Sequence, residues 1–242
     1  MIKKIGFLLC CYAAILLING CSSGKEIKKE NEEKGLEAKR IVNIEAKERR
    51  YIKSNGIKEI EKVNFDFDED GKPVNGEKLS TIKYDPEGYM TETVTYDSKS
   101  NIEGVFTYDY KNGQRIKTTR FKPDGNMDKY YTYRYNSYGN KVKSTRYNLS
   151  QDMDKYYIYD YDDYGNLIKE TWYSKNGEKE YSVEYEYDSN GRKITAKSYD
   201  KDDDLIYSYK YKYDNKDNIL EEERYNPGED KVGIIQYIYK YY

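Results

Sequence analysis

Apolar and polar side chains alternate along most of the chain from residue 61 onward. In the stretch 181–187, tyrosine or valine fills every second position, and serine and glutamate fill the positions between them. The stretch 207–213 repeats this arrangement with serine and lysine. A period of two is typical of a β-strand that buries one face and leaves the other in water. The pattern therefore predicts an all-β fold.

The alternating segments recur with a fixed period. Glycines 26 residues apart mark it, and Asp217 takes the slot after the last of them: Gly113, Gly139, Gly165 and Gly191. Asp, Asn and Gly cluster around each marker and again midway to the next, and these residues favour tight turns. Two strands and two turns per unit predict an antiparallel array of β-hairpins. We expect them to form an extended, curled or twisted meander sheet.

Several units share the signature Tyr-Asp-x-x-Gly at the first of their two turns. It occurs at residues 84–88, 161–165 and 187–191, and the last two copies continue with Asn166 and Arg192. This signature resembles the bacterial YD-repeat (Rhs-like) sequences, and the resemblance covers roughly residues 61–242. It implies a β-repeat domain over that range.

The start of the chain has the pattern of an export signal. Lys3 and Lys4 precede the uncharged run 5–18, which is shorter than the ~20 residues that a membrane-spanning helix needs. The next residues, Asn19-Gly20-Cys21, complete a segment that resembles the lipobox of bacterial lipoproteins. The resemblance implies a signal peptide over residues 1–20 and a lipid, such as palmitate, on Cys21.

The positions of the other cysteines favour the same interpretation. Cys10 and Cys11 lie inside the uncharged run, so cleavage would leave Cys21 without a disulfide partner. An ordinary cleaved signal peptide, with a cysteine that lies nearby by chance, remains the alternative.

Residues 21–60 differ in composition from the repeats that come after them. Positions 22–60 hold eleven Lys and Arg, eight Glu and a single aromatic residue, Tyr51, so this segment cannot bury a core by itself. We interpret residues 21–60 as a charged tether, helical or flexible, and residues 61–242 as the β-repeat domain. A basic amphipathic segment lying on anionic lipid remains open for the tether.

The composition also excludes several kinds of catalytic and metal-binding site. The chain has 32 tyrosines and no histidine, which excludes a Ser-His-Asp triad, a Cys-His dyad and a histidine-ligated metal site. We therefore expect no enzymatic activity and no cofactor. Acidic residues outnumber basic ones in the repeat domain, and no basic stripe occurs there, so we expect no nucleic-acid partner.

Two acidic segments and the tyrosines are candidate ligand sites. Residues 66–77, from Asp66 to Glu77, fit the spacing of a calcium loop, but the segment also coincides with the turn of a repeat, and we expect a turn without metal. Asp200 and the acidic run 202–204 likewise suit a solvated turn. The tyrosines with Trp172 could stack on sugars, although the repetition of their positions favours a core.

These observations predict a lipid-anchored lipoprotein of the bacterial cell envelope, held to the outer membrane or cell surface through Cys21. We expect it to act as a non-catalytic binding or structural module, with envelope polysaccharide or protein as candidate partners. A glycan-binding aromatic platform is one alternative. A carboxylate-based envelope hydrolase is another, because paired acidic groups can cleave glycosidic bonds.

Overall fold

The computed structural model describes residues 43–68 and 70–242, except for the side chain of residue 75. The predicted signal peptide and Cys21 lie outside the described residues. The first element is a helix, α1, over Ile44–Ser54. Asn43 caps its N-terminus, because the Asn43 side chain accepts a hydrogen bond of 2.9 Å from the amide of Ala46.

Fourteen strands follow α1. In chain order they are β1 Ile57–Phe67, β2 Pro73–Tyr84, β3 Met90–Tyr96, β4 Ile102–Lys111, β5 Gln114–Phe121, β6 Met127–Tyr135, β7 Lys141–Tyr147, β8 Met153–Tyr161, β9 Leu167–Ser174, β10 Lys179–Tyr187, β11 Lys193–Asp200, β12 Leu205–Tyr213, β13 Ile219–Tyr225 and β14 Lys231–Tyr241. The predicted all-β antiparallel hairpin array is confirmed.

The sheet closes on itself. Each strand pairs with its neighbours in sequence, and β1 also pairs with β14, for example Ile60 with Tyr239 and Phe65 with Ile234. The prediction of an extended, curled or twisted sheet therefore requires correction, because the structure is a closed barrel. Closure removes the two free edges that an open meander would leave unpaired.

β-Bulges lie next to both turns of each repeat. Between β6 and β7, Arg134 pairs with Lys143 and Tyr135 pairs with Lys141, so Val142 is an extra residue without a partner. In the same way, four other repeats each have one extra residue at this place: Ile116, Ile168, Ile194 and Leu220. A bulge bends its strand and increases the local twist. Its repetition supplies the curvature that barrel closure needs.

The turns follow the prediction. Asp162 illustrates them, since its carboxylate accepts hydrogen bonds from the amides of Tyr164, at 2.9 Å, and Asn166, at 2.8 Å. Gly165 lies between those residues with a φ of 83°, a conformation that glycine adopts without steric cost. The side chain of the first turn residue thus replaces the hydrogen bonds that the strand ladder no longer provides.

Alternation along the strands separates two sets of tyrosines. One set points into the barrel and forms much of its core, with Tyr131, Tyr157, Tyr159 and Tyr209 each at most 6% exposed. Aliphatic residues complete the core near α1, where Ile52, Ile57, Ile60 and Ile219 are fully buried. The other set lies on the outer wall. The barrel lumen is therefore a packed core.

The structure departs from the predicted tether over residues 44–60. This stretch contains α1, whose Ile44 and Ile52 are buried, and the beginning of β1, which starts at Ile57, before the predicted boundary at residue 61. The sequence left a helical or a flexible tether open, and its charged composition concealed the packing of α1 and the start of β1, because their few apolar residues gain burial only against the barrel. In the described part of the chain, no helix is both long and apolar enough to cross a membrane.

Candidate functional site at the helix-covered mouth of the barrel

Helix α1 extends across one mouth of the barrel, which we call the α1 end. It contacts hairpins on different sides of that mouth. The amide of Ile44 donates to Oδ1 of Asn140 at 3.1 Å, and the Tyr51 hydroxyl donates to the carbonyl oxygen of Lys216 at 3.2 Å. Between them, Arg49 donates to the carbonyl oxygen of Gly113 at 3.3 Å. The turns on the opposite side of the barrel form the far end; they lie between β1 and β2 and at residues 97–101, 122–126, 148–152, 174–178, 200–204 and 226–230.

The backbone of α1 lies directly against one of these hairpins. A Cβ added to Gly88 would lie only 2.3 Å from the carbonyl oxygen of Arg49, well inside any permitted contact. Gly88 also has a φ of 83°. Both the turn and the close approach of the helix therefore require glycine here.

A charged cluster lies under the helix. The Glu45 carboxylate accepts a hydrogen bond of 3.1 Å from the Tyr135 hydroxyl and lies 3.4 Å from Nζ of Lys141. Burial by itself would raise the pKa of Glu45, but the charges of Lys141 and Arg115 outweigh it and hold that pKa below its ordinary value. Glu45 therefore stays ionised and links α1 to the barrel wall.

Glu48, one turn further along α1, behaves in the opposite way. Burial raises the pKa of its carboxyl to about 7, although the nearby Arg115 opposes the shift and Glu45 reinforces it. Glu48 keeps some exposure because it lines a cleft of about 20 Å³ together with Tyr89 and Tyr110. Such a cleft holds about one water molecule. The site can carry a proton near neutral pH, but it has no room for an organic ligand.

Arg49 fixes the edge of this cleft. Its guanidinium donates a hydrogen bond of 2.6 Å to the Tyr89 hydroxyl, and its central carbon lies 4.5 Å from the centre of the Tyr89 ring. Tyr89 in turn makes an edge-to-face contact with Tyr110, at 4.8 Å between ring centres. These contacts favour a structural role for the cleft.

Cations inside the barrel lie over tyrosine rings. Lys193, only 2% exposed, has its ammonium 4.2 Å from the ring centre of Tyr185 and 5.2 Å from that of Tyr211. Lys141 lies in the same way over Tyr159, at 4.8 Å. The electron-rich ring faces compensate part of the cost of removing these charges from water. The lumen is thus filled by paired aromatic and cationic side chains.

Buried carboxylates in the lumen also have donors. Glu170, which is 6% exposed, accepts a hydrogen bond of 2.8 Å from the indole nitrogen of Trp172, and burial raises the pKa of its carboxyl. Glu222 accepts hydrogen bonds from the hydroxyls of Tyr211, at 3.1 Å, and Tyr237. Trp172, a candidate for a sugar platform together with the tyrosines, is therefore part of the core.

The two acidic segments predicted as turns lie at the far end. The Asp68 carboxylate accepts hydrogen bonds from the amides of Asp70, at 3.0 Å, and Lys72, at 2.8 Å, while Asp66 pairs with Arg224 at 3.4 Å. Within the described residues, no group of three or more acidic or thiol side chains is arranged to hold a metal ion.

The second acidic segment forms the turn between β11 and β12. The Asp200 carboxylate accepts hydrogen bonds from the amides of Asp202, at 2.9 Å, and Asp204, at 3.0 Å. Asp203 pairs with Lys179. These carboxylates therefore stabilise a turn.

Stacked tyrosine pairs on the outer wall test the hypothesis of a glycan-binding aromatic platform. The rings of Tyr130 and Tyr147 lie 5.0 Å apart and nearly parallel, as do those of Tyr156 and Tyr173 at 4.9 Å. Lys117 and Lys143 lie over Tyr130 and Tyr156, at 5.0 and 4.4 Å from the ring centres. Neighbouring rings and ammonium groups thus cover ring faces that a sugar would need.

The residues of the α1 end were not among those that the sequence patterns predicted to be functional. Glu45, Glu48 and Arg49 lie in the segment interpreted as a tether. The sequence does contain one pattern that predicts a helix here. Ile44, Glu48 and Ile52 are four residues apart and therefore share one helix face. Asn43, a favourable N-cap residue, stands directly before this pattern.

One known family matches part of the chain. A family model described as a protein of unknown function (DUF2963) matches residues 149–199, which span β8 to β11. Among curated proteins, none matches the chain.

Solved structures with a similar course of the chain have low sequence identity. A porin-like protein from Bacteroides uniformis ATCC 8492 is 12% identical and has a TM-score of 0.46, over 76% of this chain and 98% of that one. A porin-like protein from Bacteroides vulgatus ATCC 8482 has a TM-score of 0.42 at 12% identity, over 76% of this chain and 98% of that chain. A DUF1329 family protein from Desulfovibrio piger ATCC 29098 has a TM-score of 0.33 at 10% identity, over 79% of this chain and 89% of that one. At these values, the likenesses carry no functional information.

Proposed function

We propose that the protein is a lipid-anchored protein of the cell envelope whose barrel acts as a non-catalytic binding or structural module. The packed lumen is the observation that supports this proposal most directly. Tyr157 is 1% exposed, Lys193 is 2% exposed, and the cleft beside Glu48 holds about one water molecule. A filled barrel presents its outer surface and its ends to partners.

The anchor in this proposal is Cys21. The segment Ile18-Asn19-Gly20-Cys21 has the form of a lipobox, and the later part of the sequence holds no further cysteine. Each buried methylene of an acyl chain contributes ~0.8 kcal/mol, so several chains on one residue would hold the protein stably at a membrane.

Membrane fractionation of the Cys21→Ala variant tests the anchor. The wild-type protein should sediment with membranes and carry acyl mass on its Cys21 peptide, whereas the variant should be soluble or keep its signal peptide. Cys10→Ala and Cys11→Ala are matched controls, because both positions lie in the predicted signal peptide, and these variants should still sediment. A wild-type Cys21 peptide without acyl mass would exclude lipid anchoring.

A further inference from the structure

Exposed aromatic residues are distributed unevenly over the barrel. Among the described residues, the tyrosines with about half or more of their surface exposed all lie at the α1 end: Tyr138, Tyr164, Tyr241 and Tyr242. Tyr138 and Tyr164 occupy the tips of neighbouring hairpins and are 57% and 68% exposed. The far end exposes Ile102, Met127, Leu149 and Met153 instead, with no aromatic residue among them.

A row of aliphatic residues lies beside these tyrosines. The bulge residues Ile116, Ile168, Ile194 and Leu220 point outward next to the turns of the α1 end, and each is about 40% exposed or more. Charged pairs adjoin this row on the outer wall, as in Lys169 with Glu184 at 2.8 Å. A concentration of exposed apolar residues at one end of a protein is typical of a contact surface for another protein or a membrane.

The path of the chain indicates which of these partners the α1 end meets. Asn43, the first described residue, lies at this end, where a Cβ on Gly139 would meet its side-chain nitrogen at 2.4 Å. Residues 21–42 therefore connect the proposed lipid on Cys21 to the α1 end and not to the far end. Tyrosine, with an apolar ring and a polar hydroxyl, is enriched where membranes meet water.

Charges at the α1 end are compatible with such a contact. The outward face of α1 carries the exposed Arg50, and its Lys53 pairs with Glu87. The aspartates that open the turns direct their carboxylates at backbone amides, as Asp162 does. Because Lys53 and the turn aspartates are already engaged within the protein, the contact should depend on the apolar residues more than on anionic lipid.

We propose that the α1 end is a membrane-docking face, with Tyr138, Tyr164 and the outward bulge residues in the interfacial layer of the bilayer. The proposal extends the proposed function and rests on it for the identity of the partner. It gives the anchored barrel one orientation, with the far end and its acidic turns directed away from the membrane.

Site-specific fluorescence in vesicles tests this orientation. A cysteine introduced as Tyr164→Cys or Leu149→Cys in the full-length gene can be labelled with an environment-sensitive dye after purification of the mature protein. The two positions are both exposed hairpin-turn residues, one at each end of the barrel. Phosphatidylcholine vesicles with brominated acyl chains should quench the dye at position 164 at least about twofold more strongly than the dye at position 149.

Labelling of the wild-type protein, which has no added cysteine, separates the proposal of a lipid anchor on Cys21 from the proposal of a docking face at the α1 end. An acylated Cys21 thioether does not react, so the wild type should take up no dye. If the wild type stays unlabelled and quenching at positions 164 and 149 is equal, or stronger at 149, the orientation is wrong while the anchor stands.

If the wild type does take up dye, the lipid anchor is wrong. Docking is then judged on the Cys21→Ser form of each labelled variant added to the same vesicles. A blue shift and quenching at position 164 alone would support the docking face, and no change at position 164 would overturn it.

Discussion

The hydroxyl of Tyr161 donates a hydrogen bond of 2.7 Å to the carbonyl oxygen of Lys141, twenty residues earlier in the chain. Lys141 directly precedes the bulge residue Val142. The bulge interrupts the ladder there, and the tyrosine hydroxyl supplies a donor to the adjoining carbonyl group. The same bond recurs in other repeats: Tyr110 to Met90, Tyr135 to Arg115, Tyr187 to Leu167, Tyr213 to Lys193 and Tyr239 to Ile219.

This hydrogen bond explains why the position of Tyr161, and its equivalent in the other repeats, holds tyrosine and not phenylalanine. Tyr161→Phe keeps the ring but leaves a buried carbonyl oxygen without its donor, so we expect a loss of ~1–3 kcal/mol in the free energy of unfolding. Tyr147→Phe is the control, since that ring stacks on Tyr130 on the outer wall, and it should cost no more than ~0.5 kcal/mol. Urea unfolding of both variants provides the measurement. Equal losses would show that the bulge carbonyl does not need the hydroxyl.

Removal of a whole inward ring should cost more. Tyr159 is 6% exposed and packs in the core with Leu167, so Tyr159→Ala should lower the free energy of unfolding by ~3–5 kcal/mol. Glu184→Ala removes only one partner of a half-exposed ion pair with Lys169, and its effect should stay within ~1 kcal/mol. Denaturant melts of the two variants provide the measurement. Similar losses in the free energy of unfolding would contradict the assignment of Tyr159 to the inner face and Glu184 to the outer face.

The contact between Gly88 and α1 can be isolated with a pair of alanine variants. Gly88→Ala combines an unfavourable positive φ with a Cβ that would lie 2.3 Å from the Arg49 carbonyl oxygen. Gly125→Ala has the same backbone strain, with a φ of 82°, but nothing lies within 4 Å of its added Cβ. Gly125→Ala should therefore cost ~1 kcal/mol, and Gly88→Ala more.

Hydrogen exchange distinguishes the cause of the larger loss. In Gly88→Ala, the amides of α1 should exchange faster than in the wild type, because the helix must move away from the hairpin. Gly125→Ala should leave the exchange of α1 unchanged. Unaltered protection of α1 in both variants would mean that the helix accommodates the methyl group without moving.

Glu48 should make stability depend on pH. Its pKa is raised to about 7 by burial, so the folded protein binds more protons than the unfolded chain between about pH 4.5 and 7. Its contribution to stability is present below that window and is lost as the pH rises through it, by roughly 1–3 kcal/mol. Glu48→Gln should flatten this dependence and stabilise the protein at pH 8. Urea midpoints measured across pH 4–8 would show it.

Glu223 provides a control of opposite sign. Although burial acts to raise its pKa, hydrogen bonds from Lys231 and Lys212 lower it to about 2. Its contribution is present above about pH 4.5 and is lost as the pH falls toward 2. Glu223→Gln should therefore leave the slope between pH 5 and 7 unchanged. If Glu48→Gln also left that slope unchanged, the raised pKa of Glu48 would be refuted.

The acidic segment from Asp66 to Glu77 should not respond to calcium. The Asp68 carboxylate already accepts two backbone hydrogen bonds, and only a ligand that binds the native state raises its stability. Millimolar calcium should leave the melting temperature unchanged in the wild type and in Asp68→Ala alike. A rise in the wild type that disappears in Asp68→Ala would identify a calcium site after all.

Local features of this protein follow from its sequence. The two-residue alternation around Tyr185, the turn residues near Gly165 and the 26-residue spacing predict strands, hairpins and their order. These features depend on interactions between residues close in sequence, such as Asp162 with the amides of its own turn. Each repeat contacts mainly its neighbours, so the pairing within the array also follows from the period.

Closure of the barrel and the place of α1 depend on the tertiary structure. Pairing of Ile60 with Tyr239 joins opposite ends of the array, and it depends on curvature summed over every bulge and strand, which no single repeat specifies. Helix α1 has too few apolar residues to be stable alone, and its sequence resembles a solvated tether. Ile52 and Glu45 gain burial and ionic partners only after the mouth exists, because the groups that surround them come from distant hairpins.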